Sequence, residues 1–324
     1  MRFVLNTFAR PVARMLLTGS LFAATATALV AQDLHTAEQL VLTGQADKAR
    51  AMLHQLPSTP EQHLLLCRVS VAEEDGDAAA SDCEAAVAMA NNSITQEWLA
   101  HAYGLQAQHA GPFGGLKLAG KVRIALETAF QMDPHSALAV NDLADFYVKA
   151  PGIVGGGTDK ARDLAKKVES YLPEAAHRTY ALAAEKDGDY GTAEREFKAF
   201  VGVRGSARAW CDLGNYYSRH KQYAQALDAL QHAVAVDHNI TPTTADCGLI
   251  LLYVHQQPAI AQQWLLAYLN GKGQTDEQPT FKIHVALGEL LAKLGDKNGA
   301  RNEFDKALAL ASHYAPALKA LHSL

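Results

Sequence analysis

The fold is decided by the stretch Trp210-Cys211-Asp212-Leu213-Gly214-Asn215-Tyr216-Tyr217, which is followed by Tyr223, Ala226, Leu230 and Ala233. On a helix of about 3.6 residues per turn, Trp210, Leu213, Gly214 and Tyr217 lie on one face, so the stretch predicts a helix with an apolar stripe. Ala226, Leu230 and Ala233 form a second stripe at helical spacing, and the polar residues 218–222 suit a tight turn. The two helices can therefore pack as an antiparallel pair.

The same pattern recurs along the chain. Tyr190, Ala193 and Phe197 precede Tyr223, Ala226 and Leu230 by 33 residues each (190 to 223, 193 to 226, 197 to 230). Residues 280–312 repeat the full pattern, and Gly44 and Gly76 begin it 32 residues apart. A single helical hairpin buries too little apolar surface to be stable alone, so this recurrence predicts a stack of helix pairs.

The pattern W-x2-L-G-x2-Y followed by A-x3-L-x2-A resembles the signature of the tetratricopeptide repeat family. The resemblance implies an all-α fold, a right-handed superhelical solenoid of antiparallel helix pairs. It also implies a concave groove that binds a protein or peptide. We expect about eight helix pairs in one repeat domain at 32–324, ending in a capping helix over 315–324 with a polar outer side.

Two glycine-rich segments interrupt the pattern, 111–115 in the third pair and 150–157 in the fourth. We expect both to be loops, followed by helices over 118–131 and 158–172. Since both lie inside consecutive pairs, they are expected to project side by side from one edge. Candidate contact residues on that edge are Phe113, Pro151, Gly155 and Gly156. For residues 152–160 the alternative is an enlarged turn between helices, in which glycines take positive φ and Thr158 is the N-cap.

The segment that begins Ala150-Pro151-Gly152 and contains three consecutive glycines also resembles stretches of uncharacterised secreted tetratricopeptide proteins. More distantly, it resembles the periplasmic repeat subunits that accompany some solute transporters. This resemblance implies an alternative function, a solute-binding accessory subunit with a cavity walled by the two glycine-rich loops. A phosphate-binding loop is not indicated, because Thr158 and Asp159 separate the last glycine from Lys160.

The first 31 residues are typical of a secretory signal peptide. Arg2, Arg10 and Arg14 precede an acid-free apolar stretch over 15–30. Cleavage after Ala28 follows the better A-x-A triplet, whereas cleavage after Ala31 removes the whole apolar stretch. An uncleaved anchor is the alternative, but several threonines, a serine and a glycine interrupt the stretch. We expect a periplasmic or secreted protein with no stable membrane span in the mature chain.

The composition narrows the classes of function. The chain of 324 residues has a net charge of −5, which argues against a nucleic-acid-binding protein because such a protein needs a basic face. Hydrophobic residues make up 49% of the chain but aromatic residues only 7%. This balance suits a solenoid, whose core grows by stacking small apolar side chains.

Four cysteines in an exported chain make disulfides possible. Cys67 and Cys83 lie on either side of the turn at Gly76, and antiparallel helices would place them at similar height. Cys211 and Cys247 occupy similar heights on the first helices of adjacent pairs. The alternative is that all four are small buried apolar residues. No C-x2-C motif occurs, so neither a thioredoxin-like site nor a zinc ribbon is expected.

The sequence offers no catalytic or metal motif. The 14 histidines are scattered, and neither H-E-x-x-H nor G-x-S-x-G occurs. We therefore expect no enzymatic activity, no metal and no cofactor.

The remaining candidate site is the concave groove. The family resemblance places residues of the first helices there, and the well-matched repeats supply Arg178, Arg208, Asn215, Arg219 and Lys282. We expect these residues to bind an acidic or C-terminal carboxylate segment of a partner protein through charge-assisted hydrogen bonds. The alternative is that they belong to a solvated polar face.

Overall fold

A computed structural model describes residues 30–324, and within that range it contains 17 α-helices and no strand. Residues 1–29 of the expected signal peptide lie outside the described part. The helices are α1 30–42, α2 Ala46–Leu53, α3 Pro60–Ala72, α4 Gly76–Met89, α5 Ser93–His109, α6 Pro112–Met132, α7 Ala137–Lys149, α8 Thr158–Val168, α9 Pro173–Lys186, α10 Tyr190–Arg204, α11 Ala207–Arg219, α12 Tyr223–Val236, α13 Pro242–Tyr253, α14 Pro258–Asn270, α15 Thr280–Lys293, α16 Lys297–Leu310 and α17 Ala315–His322.

Consecutive helices pack as eight pairs, from α1/α2 to α15/α16, and α17 follows the last pair. The predicted all-α solenoid with a terminal helix is confirmed. Glycines on the first helices permit the close packing within pairs. A Cβ atom added to Gly214 would lie 2.7 Å from the Leu230 side chain, and one on Gly288 would lie 2.4 Å from the Phe304 ring. In the sixth and eighth pairs the second helix therefore lies directly against a glycine of the first.

Trp210 packs at the boundary between two apolar cores. It is partly buried against the core of α9–α12 and also against the core of α11–α14. Its ring stacks on His232 of α12 with centroids 4.7 Å apart. The signature tryptophan therefore joins neighbouring pairs as well as the two helices of its own pair.

The first and last helix pairs pack against each other, so the solenoid closes into a ring. One continuous apolar core contains residues of α1, α2 and α3 together with residues of α15, α16 and α17. Val41, Leu53 and Leu66 come from the first side, and Phe281 and Phe304 from the last. All five side chains are buried. The outer face of the eighth pair is thus covered by the first pair as well as by α17.

Polar contacts join the same two ends. They are Thr280 Oγ1 donating to Thr43 O at 2.8 Å, the Ser312 backbone N–H donating to Asp47 Oδ2 at 3.0 Å, and Lys282 Nζ donating to Glu74 Oε1 at 2.7 Å. These contacts connect residues more than 200 positions apart in the sequence. These specific contacts therefore fix how the helices of the two ends are aligned where the ring closes.

The expected loop at 111–115 is wrong, because α6 already begins at Pro112. Proline is favourable in the first turn of a helix, where its missing N–H needs no partner. Phe113 therefore lies in that first turn. The helix expected over 158–172 is α8, and it ends at Val168. Its last four expected residues form a turn before Pro173, because a proline disfavours helical geometry in the residue before it.

The structure contains a disulfide between Cys67 of α3 and Cys83 of α4, which links the two helices of the second pair. Across residues 30–324, no helix is both long enough and apolar enough to cross a bilayer.

Candidate functional site

Charged side chains connect the first helices of neighbouring pairs. Arg178 of α9 donates from Nη1 to Asp145 Oδ1 of α7 at 2.8 Å and from Nε to Asp212 Oδ2 of α11 at 2.8 Å. Arg208 continues the series, with Nε 3.2 Å from Asp212 Oδ1 and Nη1 donating to Asp246 Oδ2 of α13 at 3.4 Å. Acidic and basic groups thus alternate from α7 to α13.

Residues 271–279, the connection between α14 and α15, extend this series of polar contacts from the seventh pair to the second pair. Gln278 Nε2 donates to Asp246 Oδ1 at 2.6 Å. Asp276 accepts from Arg68 of α3, from Nε at 2.7 Å and from Nη2 at 3.0 Å. The segment therefore joins α13 to α3, which lie more than 170 residues apart in the sequence.

The series closes through α5. The Arg68 guanidinium lies 5.7 Å from the centroid of Trp98, whose ring is 5.5 Å from that of His101. His101 Nε2 lies 2.8 Å from Asp142 Oδ2 of α7, one helical turn before Asp145. We call this closed circuit the inner belt. Its members are Arg68, Trp98, His101, Asp142, Asp145, Arg178, Arg208, Asp212, Asp246, Asp276 and Gln278.

Pairing shifts the pKa of three belt residues, Arg178, Asp145 and His101, in the direction that favours the charged form. Burial alone would lower the pKa of Arg178, but the charges of Asp212 and Asp145 raise it above its usual value. Burial would likewise raise the pKa of Asp145, but Arg178 and Lys149 hold it below the usual range. The pKa of His101 is lowered by burial but raised more by Asp142, and it lies above the ordinary value for histidine.

Asp246 is the exception within the belt. Burial raises its pKa to about 6, although Arg208 and Gln278 favour the charged form, and nearby Asp212 and Glu277 add to the rise. Because the folded-state pKa exceeds the ordinary value, the contribution of this carboxyl to stability is present at low pH and is lost as the pH rises through about 6.

Substitution of Asp246 by asparagine is expected to raise the free energy of unfolding by about 1–3 kcal/mol at about pH 8, and to change it little at about pH 4. The amide keeps an acceptor for Gln278 without a buried charge. Denaturant unfolding of both proteins across this pH range measures the effect. Asp228→Asn, which changes an exposed aspartate of α12, is the matched control. A variant that is less stable than wild type at high pH would contradict the argument.

Two cavities adjoin the belt. One of about 480 Å³ lies along α7, α9 and α11, and the other, of about 780 Å³, lies along α11, α12 and α13. Arg208, Asp212, Asn215 and Arg219 line both. The two cavities therefore form one surface, which we call the α11 groove. The apolar wall of its larger half consists of Leu249, Ile250, Tyr253 and Val254.

A buried hydroxyl lines the same groove. Ser218 is 3% exposed, and its Oγ has no hydrogen-bond partner within the described residues. The side chain also lines the larger cavity. This hydroxyl oxygen has almost no accessible surface, so it lies within the wall of the groove and offers no contact to a ligand.

The structure brings four of the five expected groove residues together. Arg178, Arg208, Asn215 and Arg219 all line the α11 groove. Lys282 does not, because it pairs with Glu74 where the ring closes. The groove is also less cationic than the sequence suggested. Arg178 and Arg208 pair with belt aspartates, and Arg219 forms two hydrogen bonds with Glu185.

The expected edge residues do not form one site. Pro151, Gly155 and Gly156 lie in the connection between α7 and α8, where a short 3₁₀ helix spans Gly152–Val154. Gly155 packs against Arg123, ten residues along α6 from Phe113 and thus ~15 Å away along the helix axis. In the described part of the chain, these edge residues line neither half of the α11 groove.

Cys211 and Cys247 are buried and form no disulfide within the described residues, and each lies on a first helix of the α11 groove region. A hydrogen bond with Cys247, together with burial, raises the pKa of Cys211 well above its usual value. Among residues 30–324, no group of three or more histidines, cysteines or acidic residues could hold a metal ion.

Sequence reasoning missed the acidic half of the belt. A signal was present, since Asp142, Asp212 and Asp246 each precede the dipeptide that places a small residue against the second helix. In the three pairs this dipeptide is Leu-Ala, Leu-Gly and Cys-Gly. The shared position puts each aspartate beside an arginine or histidine of a neighbouring first helix.

Two segments, 207–239 and 281–314, match the family model described as tetratricopeptide repeat. They coincide with α11/α12 and α15/α16. Similar solved structures include a tetratricopeptide repeat protein from Parabacteroides merdae ATCC 43184, at 16% identity and a TM-score of 0.41, covering 81% of this chain and 97% of that one. Another is the APC/C hetero-tetramer Cut9-Hcn1, at 14% identity and a TM-score of 0.38, covering 90% of this chain and 55% of that one. No curated protein matches the sequence.

Proposed function

We propose that this chain of tetratricopeptide repeats is a non-enzymatic interaction scaffold that binds a segment of a partner protein in the α11 groove. The repeat fold supports this proposal because such folds commonly bind protein partners. The observation that carries it is the groove itself, a surface that combines an apolar wall with polar and charged side chains, among them Arg208, Asn215 and Arg219. Few precisely placed polar groups in a mainly apolar concavity are typical of binding sites.

The contacts of the arginines define the chemistry of the partner. Arg178 is buried between two aspartates, so we expect it to hold the groove helices together and not to contact the ligand. Arg208 is 51% exposed and Arg219 is 39% exposed, so both can reach a ligand. A carboxylate of the partner would have to compete with Asp212, Asp246 and Glu185. We therefore expect an apolar side chain against Leu249 and Val254, with one carboxylate beside Arg208 or Arg219.

We also propose that the protein acts in the periplasm or outside the cell. The composition of residues 1–31 supports export. The Cys67–Cys83 disulfide supports an oxidising compartment, because such bonds are rare in the reducing cytosol.

Photocrosslinking from within the groove tests the binding proposal. A benzophenone amino acid replaces Asn215 in the producing cells, and its control replaces Asp228, an exposed residue of α12. We expect a protein adduct from position 215 that position 228 does not give. Filling the groove with Leu249→Trp should abolish that adduct while the melting temperature stays near that of wild type.

Two results would overturn the proposal. One is the same set of adducts from both positions, which indicates non-specific capture. The other is a small molecule that co-purifies with the chain and blocks crosslinking at 215 without any protein adduct. That second result would favour the alternative of a solute-binding accessory subunit.

A further inference from the structure

The third helix pair projects beyond its neighbours. Its second helix, α6, contains 21 residues, whereas α10, the next longest second helix, contains 15. The difference of 6 residues corresponds to ~9 Å of helix. Its first helix, α5, is also the longest of the first helices from α3 to α15, with 17 residues. The turn at Gly111 and the start of α6 therefore form a protruding tip.

Large apolar side chains are exposed at this tip and farther along α6, up to ~17 Å from Phe113 along the helix axis. Phe113 is 90% exposed, and Leu116 and Ile124 follow it on the exposed side of α6. Ile153, which is 82% exposed, lies on the 3₁₀ helix that packs against α6. These side chains line neither half of the α11 groove.

The same surface carries a lysine that is unpaired among the described residues. Residues 98–126 contain no aspartate or glutamate but do contain Lys117, Lys121 and Arg123. Lys121 and Arg123 pair with Glu84 and Glu127. Lys117 lies between Phe113 and Ile124 on the exposed side of α6, and within residues 30–324 it forms no ion pair. Lys160, close to Ile153, donates to Gly155 O at 2.9 Å and is likewise without an acidic partner there.

We propose that this surface, the hairpin face formed by Phe113, Leu116, Lys117, Ile124 and Ile153, docks on an anionic lipid bilayer. Projecting apolar side chains beside lysines fit the boundary between acyl chains and anionic headgroups. A protein partner would need a complementary concave surface of several hundred square ångströms. A fluid bilayer instead deforms around separate projecting side chains. The proposal does not depend on what the α11 groove binds.

Co-sedimentation with vesicles tests the proposal on the processed chain. One set of vesicles contains phosphatidylcholine alone, and the other also contains phosphatidylglycerol. We expect binding to the second set only. Phe113→Ser should weaken that binding about tenfold, since a large apolar side chain no longer enters the bilayer. Lys117→Glu should weaken it further at low salt. The matched controls are Leu138→Ser and Lys272→Glu, which change exposed residues elsewhere.

A site-specific measurement distinguishes membrane binding by the hairpin face from membrane binding by the apolar stretch at 15–30. A solvent-sensitive fluorophore is attached to cysteine in Leu116→Cys and, as a control, in Lys272→Cys. Anionic vesicles should shift the emission to the blue at position 116 alone. The proposal is overturned if neither position responds, or if the hairpin variants bind vesicles as wild type does. Docking of an acidic protein on this face, without vesicle binding, would overturn it as well.

Discussion

Replacement of Phe281 by alanine is expected to destabilise the chain by about 3–5 kcal/mol and to loosen its first helix pair together with its last. The ring is fully buried and lies edge-on to Tyr314, with centroids 4.9 Å apart. It belongs to the core shared by α1–α3 and α15–α17. A cavity at this point therefore weakens the contact that closes the ring. Denaturant unfolding measures the loss, and amide hydrogen exchange locates it.

Phe197→Ala is the matched control for this substitution. Phe197 is also fully buried, but its core lies between α9 and α12, far from the closure. We expect a similar loss of stability from both variants. Only the Phe281 variant should show faster exchange at 30–56. Unchanged exchange of that segment would show that the two ends do not depend on each other.

Replacement of Arg178 by methionine is expected to cost about 3–5 kcal/mol near neutral pH, because a buried charge pair loses one partner. Methionine keeps the apolar stem but leaves Asp145 and Asp212 without their shared cation. In wild type the pKa of Asp145 is held below its usual value. Its stabilising contribution is therefore present above about pH 4 and is lost as the pH falls through the folded-state pKa. The difference between the two proteins should shrink in acid.

Two further variants distinguish the loss of this charge pair from a non-specific effect of replacing an arginine. Arg178→Lys keeps a charge but cannot donate to both aspartates in the fixed geometry of a guanidinium, so only partial recovery is expected. Arg195→Met, at an exposed arginine of α10, should change stability by less than about 0.5 kcal/mol. Equal stability of Arg178→Met and wild type at neutral pH would contradict the role assigned to the belt.

The helix pairs were predictable because they depend on local spacing. The first helix is predicted by the spacing of Trp210, Leu213 and Gly214, and the small Gly214 lies where the two helices are closest. The second helix is predicted by Ala226 and Leu230. The seventh pair has Cys247-Gly248 where the sixth has Leu213-Gly214, and this departure from the pattern is tolerated for the same reason. Gly248 remains there, and a Cβ on it would lie 3.0 Å from Leu265.

Closure of the ring was not predictable from the same pattern. It depends on the small rotation between successive pairs, which accumulates along the whole solenoid and leaves no local signal. Phe281 and Phe304 look like the apolar residues of any internal pair. Their burial against Val41 and Leu66 becomes evident only when the two ends meet.

The candidate site was partly predictable. Arg178, Arg208, Asn215 and Arg219 were placed on one face by their repeat positions. Their acidic partners lie on helices of neighbouring pairs. The neutralisation of the groove arginines could therefore be recognised only from the three-dimensional structure. Phe113 was recognised as unusual, but Pro112 was read as part of a loop although it begins a helix.

Carbodiimide crosslinking of the monomeric wild-type chain tests closure of the ring most directly. This reagent joins a lysine to a carboxylate only where they touch, and Lys282 Nζ lies 2.7 Å from Glu74 Oε1. Lys121 and Glu84, 3.6 Å apart between α6 and α4, provide the internal positive control. A closed ring predicts both links in peptides from the monomer. Recovery of the Lys121–Glu84 link without the Lys282–Glu74 link, or of the latter only in dimers, would contradict it.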